Sequence, residues 1–469
     1  MVSFFLLEVT MYHHTSIQPH SRRRLLRDGT KMTDSTGSYS DPNQTPPLAQ
    51  AVPLGLQHVL AMFASNVTPS IIVAGAAGLA FGSAEQVYLI QMAMLFAGIA
   101  TLFQTVGFGP VGARLPIMQG TSFAFVGVLA GIAATQGLSV ALTACLIGGL
   151  IHFALGSVIK NLRWMFPPLI TGLVILAIGL YLIPVAIKYA AGGAADFQMA
   201  ADSFGSLKHW SVALSVVAVA LGLKFFTKGA LSNSAILVGL VVGYALAFSL
   251  GMVNFGAVSK ASWITSIKPL PYGFEFSFWA VFAVTLVSIV SAIETVGDVS
   301  ATTKAGAGRE ATDEEISGAT YADGLGTAVA AVFGGLPNTS FSQNVGIIGM
   351  TGVMSRHVVT IGGIVLIICG LMPKIGAVIA SMPFPVLGGG VIVMFGMVAA
   401  AGLNMLSEVE MNRRNMIIIA VSLAVGLGLN LVPSAVQHVP GVLRTLLTSA
   451  VAPTAILAIA MNLILPDDV

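Results

Sequence analysis

Apolar runs of about 20 residues, separated by short polar or Gly/Pro-rich turns, recur from residue 54 almost to the C-terminus. Each is close to the length an α-helix needs to cross a bilayer. The runs place segments near 54–78, 87–107, 116–133, 137–159, 167–190, 210–227, 231–252, 277–300, 317–334, 340–354, 357–372, 377–402, 414–431 and 445–465, fourteen in all. The third and tenth are short and broken by polar residues. The tenth lies in "LPNTSFSQNVGIIGMTG", 336–352, where Pro, Asn, Thr, Ser and Gln crowd together between apolar neighbours. Such a set is costly at bilayer depth unless it is buried in protein or lines a cavity.

The third and tenth segments also resemble each other. "TSFAFVG" at 121 and "TSFSQNVG" at 339 share their opening, and in both halves a second pair, "FPPLITG" at 166 and "FPVLGGG" at 384, follows after 45 residues. Between them "IGGLIHFALG" at 147 matches "IGGIVLIICG" at 361. Three matches in one order argue for duplication. If each copy holds seven segments, the second starts on the opposite side of the membrane, so the repeats are inverted. Pro116 and Pro337 each stop a helix. Short extended pieces, "IMQGTSF" and "NTSFSQN", are expected after them, each leading into a half-helix whose N-terminus offers free N–H groups to a shared pocket near mid-membrane.

Composition narrows the class. The chain has 469 residues, 56% hydrophobic and only 9% charged, with a mean hydropathy of +0.90. Soluble domains carry about 25% charged residues. This is an all-α membrane protein. A net charge of +2 gives no basic face for nucleic acid. Zinc spacing, a P-loop and a nucleophile elbow are all missing, so no metal, cofactor or enzyme is expected. The two cysteines, Cys145 and Cys369, lie in apolar runs and read as packing residues. With a cytoplasmic N-terminus, fifteen Lys/Arg fall inside and six outside, a bias that places both termini in the cytoplasm. Residues 1–50 are basic, then rich in Ser, Pro and Asn, and read as a disordered tail. Residues 1–31 read as an extended gene start, with Met32 as a second possible beginning.

Of 19 acidic residues, only Glu294, Asp298 and Asp323 fall inside segments. An ionised carboxylate at mid-bilayer costs roughly 2.5–3.5 kcal/mol on insertion scales. "SAIETVGDVS" puts Glu294 and Asp298 at i and i+4, on one helix face. At least one of the pair is expected to hold a proton near neutral pH, as a proton-coupled carrier requires. Asp298 and Asp323 read equally well as structural hydrogen-bonding groups. His58, in "GLQHVLAMF", reads first as a bonded structural histidine, with function as the alternative. His152, His357 and His438 read as structural or interfacial. Gln119, Thr121 and Ser122 gain interest only from their place in the duplicated break.

Four motifs together resemble the nucleobase–ascorbate transporter family, which includes bacterial uracil, xanthine and uric acid permeases. "QNVGIIGMTG" at 343–352 fits the family signature, "GLQH" the first span, "ETVGD" the eighth and "ADG" the ninth. The resemblance covers about 52–465. It implies fourteen spans in two inverted seven-span repeats, a core domain from 52–160 and 276–373, a gate domain from 161–255 and 374–465, homodimers, and an elevator-like movement of the core. It also implies roles. Glu294 would bond the base, Gln343 would read its edge with Asn344 in support, and Phe123 would stack on the ring. Ser122 and Ser342 join them as candidate substrate contacts. Asp323 and His58 match positions tied to proton coupling and site architecture, and Asp298 the second acidic position of purine-type members.

The expectation is therefore proton symport of a purine base, xanthine or uric acid, into the cell across its plasma or inner membrane. The alternatives are a uracil or other nucleobase symporter, and an anion carrier of the related sulfate/bicarbonate architecture. The Glu294–Asp298 pair argues against the anion carrier, because negative charge repels such a substrate.

Overall fold

The computed structural model describes residues 39–466 apart from 163–166, 194, 195 and 198. The basic part of the expected tail, and the question of residues 1–31, lie outside the described residues. Residues 39–50, expected to be disordered, are ordered. Three carbonyls of this stretch accept hydrogen bonds at the start of a later helix: Tyr39 from Met354 N (2.7 Å), Pro42 from Arg356 N (3.0 Å) and Gln44 from the Ser355 hydroxyl (2.6 Å). A helix start leaves N–H donors unpaired, and this segment supplies their acceptors.

The long helices are α1 (Leu48–Ala76), α2 (Ala84–Thr105), α3 (Val126–Leu155), α4 (Pro168–Ala190), α5 (Leu207–Phe226), α6 (Ala235–Ser249), α7 (Phe278–Ala307) and α8 (Asp313–Val332). They continue as α9 (Ser342–Thr351), α10 (Arg356–Leu371), α11 (Pro373–Ala380), α12 (Phe384–Ser407), α13 (Arg413–Leu431) and α14 (Val451–Ile464). Among the described residues, eight helices are long and apolar enough to cross a membrane, or nine if α10 and α11, bent by 80°, form one crossing. The expected segments 116–133 and 137–159 meet in α3, broken at Gly137, whose φ of 88° and ψ of 171° suit glycine alone. Two boundaries differ from expectation. Segment 377–402 is interrupted, because Pro383 and Pro385 end α11 and restart the chain as α12. Segment 445–465 is likewise split, with a short helix at Gly441–Leu447 before α14.

Two strands, β1 (Gln119–Thr121) and β2 (Asn338–Ser340), pair antiparallel, with Gln119 opposite Ser340 and Thr121 opposite Asn338. Ser122 N to Pro337 O (2.9 Å) and Phe341 N to Met118 O (3.0 Å) extend the pairing on both sides. Either strand alone would leave buried backbone groups without partners, and each satisfies the other. The repeated "TSF" residues thus come together in space.

Packing follows a twofold pattern. α1 and α2 pack on α10, as α7 and α8 pack on α3. α4 packs on α12, and α5 on α6 as α13 on α14. Small residues allow the close approaches, as is usual between membrane helices. A Cβ at Gly388 would stand 2.1 Å from Ala190 N, and one at Gly324 would stand 2.2 Å from Phe153 N.

Candidate substrate site

The site is built around the strand crossing. β1 is anchored by α1 and α2: Asn66 Oδ1 accepts from Thr121 N (2.8 Å), and Thr101 Oγ1 accepts from Gln119 N (3.0 Å). β2 is anchored by α7 and α8: the Ser291 hydroxyl donates to Thr339 Oγ1 (3.3 Å), and Asn338 N donates to Thr327 Oγ1 (3.0 Å). Asp323, on α8 and fully buried, ties the two sides together. Its Oδ1 accepts from Gln104 Nε2 (2.9 Å) and Gln119 Nε2 (2.6 Å), and its Oδ2 from the Thr295 hydroxyl. The Thr295 hydroxyl also lies within reach of Ser291 O (3.1 Å), and Gln104 Nε2 of Ala319 O (3.0 Å).

Asp298 is occupied in a similar way. Its two oxygens accept from the Ser340 and Ser342 hydroxyls, each at 2.6 Å, and so join α7 to the end of β2 and the start of α9. Ser342 is thereby directed at Asp298. Ser122 is buried, and its Oγ accepts from Ala124 N (3.3 Å) in the turn that leads into α3. Asn344 Nδ2 donates to the His58 carbonyl and lies 3.0 Å from His58 Nδ1, so the His58 ring proton belongs on Nε2. This pair joins α9 to α1.

Three of the expected residues remain open. Phe123 is half-buried and meets Phe395 of α12 edge-on, with centroids 5.4 Å apart. Gln343 is half-buried with no side-chain partner among the described residues. Glu294 is also half-buried and has none. It faces a narrow cleft between α7, α4 and α14, lined by apolar side chains such as Ile170, Val174, Ile178 and Ile459. A carboxylate turned into such a cleft without a partner is available to an incoming N–H donor.

Sequence reading missed the anchors Asn66, Gln104, Thr101 and Thr295. The two amides stand inside largely apolar helices among several other polar residues, so burial at bilayer depth is a signal they share with their neighbours.

Helices with buried polar anchors, gathered where two broken segments pair, define a multi-pass membrane transport protein. The Permease family model (Xan_ur_permease) matches residues 49–435. The chain belongs to this family, the nucleobase–ascorbate transporters. Its relatives are permeases and not enzymes. It is 39% identical over 420 residues to a protein of Clostridium perfringens provisionally named a purine permease, covering 90% of this chain and 91% of that one. It is 35% identical to the xanthine permease XanP of Escherichia coli (90% and 93% covered). It is 36% identical to the nucleobase transporter PlUacP of Paenibacillus larvae (88% and 94% covered). Among solved structures it is similar to the transmembrane domain of the cyanobacterial bicarbonate transporter BicA, at TM-score 0.59 and 15% identity, covering 88% of this chain and 98% of that one. It is also similar to the murine anion transporter Slc26a9 in its inward-facing state, at TM-score 0.60 and 15% identity (90% and 68% covered). At that identity the likeness is one of fold.

Proposed function

We propose that this protein carries a purine base, xanthine or uric acid, into the cell together with protons. The observation that carries the reading is the contrast among the three intramembrane carboxylates. Asp298 and Asp323 have their oxygens taken up by protein donors, while Glu294 faces the cleft with none among the described residues. An oxidised purine has ring N–H donors for Glu294 and alternating N–H and C=O groups for the amide of Gln343, which offers one edge of each kind. Phe123 offers a ring face to stack against.

The twofold packing and the β1–β2 crossing support two inverted repeats of seven spans, with both termini cytoplasmic. In this reading 52–160 and 276–373 form the core domain, 161–255 and 374–465 the gate domain, and the core moves as an elevator within a homodimer. Xanthine and purine permeases among the relatives favour a purine over uracil. The anion carriers share the fold only.

The test is uptake of radiolabelled xanthine, urate and uracil in cells without permeases of their own. The expected result is uptake of xanthine or urate that a protonophore collapses. Uptake that persists with a protonophore and depends on sodium would refute proton coupling. A second variant probes readout. Gln343→Glu replaces a donor–acceptor edge with an acceptor and is expected to change the order in which unlabelled bases compete by about tenfold for at least one base. An unchanged competition profile would remove Gln343 from base recognition.

A further inference from the structure

Next to the Glu294 cleft lies a larger cavity of about 270 Å³, lined by Ile159, Pro167, Thr171, Gly297, Ser300 and Met405 among others. Ile293, Val296, Gly297 and Ser300 of α7 line it, so the cavity runs from the level of Glu294 roughly 10 Å along the helix. It lies toward the end of α7 at Ala307, and Ala307 shares a surface depression with Ser40–Asn43. The cavity is therefore a vestibule on the face that carries the N-terminal segment. Two residues, Thr171 of α4 and Ile293 of α7, line both the vestibule and the Glu294 cleft. They form the constriction between the two spaces.

Thr171 lacks the bond that several helical threonines make, and so does Thr285 of α7. Thr68, Thr101, Thr105 and Thr320 each donate to the carbonyl four residues earlier. Thr171 is 9% exposed, yet its hydroxyl has no partner among the described residues, and it is the one polar side chain on the α4 side of the constriction. Opposite, a Cβ added at Gly297 would meet nothing within 4 Å, so the α7 wall leaves room for a flat ring beside Thr171.

We infer that Thr171 is a substrate-contacting residue at this constriction. Its hydroxyl, with one proton to donate and two lone pairs, pairs with the N–H and C=O edge of a base moving between the vestibule and Glu294, and so contributes to selection. The inference rests on the transport reading above. Thr171→Val keeps the shape and removes the hydroxyl; Thr171→Ser keeps the hydroxyl.

The expected result is a five- to tenfold rise in KM for xanthine with Thr171→Val, the loss of about one hydrogen bond, at wild-type abundance and thermal stability. Thr171→Ser is expected to stay within twofold of wild type. In a background with Cys145→Ala and Cys369→Ala, Thr171→Cys is expected to react with N-ethylmaleimide and to be protected by xanthine. If wild-type protein takes up xanthine and Thr171→Val has an unchanged KM and competition profile, the inference fails and the transport reading stands. Equal losses in Thr171→Val and Thr171→Ser would make the residue a packing group and overturn the inference. Absence of wild-type uptake of any base overturns both.

Discussion

Replacing Glu294 with glutamine is expected to abolish accumulation of the base while leaving the protein in the membrane at wild-type level. Glutamine has nearly the same shape and can still hydrogen-bond, but it cannot take up or release a proton. Hydrogen bonds to a charged group contribute about 1.5–3 kcal/mol, so affinity is expected to fall by roughly ten- to hundredfold. Coupling should be lost altogether. The fold should not suffer, because Glu294 has no protein partner to lose among the described residues, and removing a carboxylate from an apolar cleft relieves a desolvation cost. Initial uptake and steady-state accumulation, measured beside thermal stability in detergent, separate these effects. A Glu294→Gln protein that accumulates xanthine normally would remove the residue from the mechanism.

Asp323→Asn is expected to fail for a different reason. Three buried donors, from Gln104, Gln119 and Thr295, converge on its carboxylate. An asparagine amide must turn its NH2 toward at least one of them. Turned toward Thr295, whose hydroxyl can donate to Ser291 O (3.1 Å) instead, that NH2 orphans no donor, but the bonds from Gln104 and Gln119 lose their charge assistance. Because Gln119 belongs to β1, the strand crossing should loosen. Uptake is expected to fall more than tenfold together with a lowered melting temperature, in contrast to Glu294→Gln. A variant as stable as wild type would show that Asp323 does not hold the crossing together.

Much of this arrangement could be read from the residues. The paired "TSF" stretches anticipated two breaks and their extended pieces, because proline and a cluster of small polar residues have few places to go in an apolar chain. The isolated carboxylates stood out because charge at bilayer depth is rare. What escaped were groups whose roles depend on distant partners. Asn66 and Gln104 share their helices with other amides, Gln57 in α1 and Gln86 and Gln91 in α2, and nothing local tells an anchor of the crossing from any other buried polar residue. Asp298 could be read as a candidate, but its engagement by Ser340 and Ser342 depends on a chain separation of more than forty residues. The Tyr39–Gln44 segment has the composition of a disordered tail and is held by backbone carbonyls, which composition does not record. The interruption at 381–383 lies within a continuous apolar run of span length, where only Pro383 and Pro385 mark the break.

Xanthine uptake by reconstituted protein under an imposed pH gradient, acid outside, tests the central claim most directly when wild-type and Glu294→Gln vesicles are compared. The account predicts that wild-type vesicles concentrate xanthine above the outside level and lose it when the gradient collapses, while Glu294→Gln vesicles never exceed equilibration. Gradient-driven concentration by the Glu294→Gln protein, or wild-type uptake indifferent to the gradient, would contradict it.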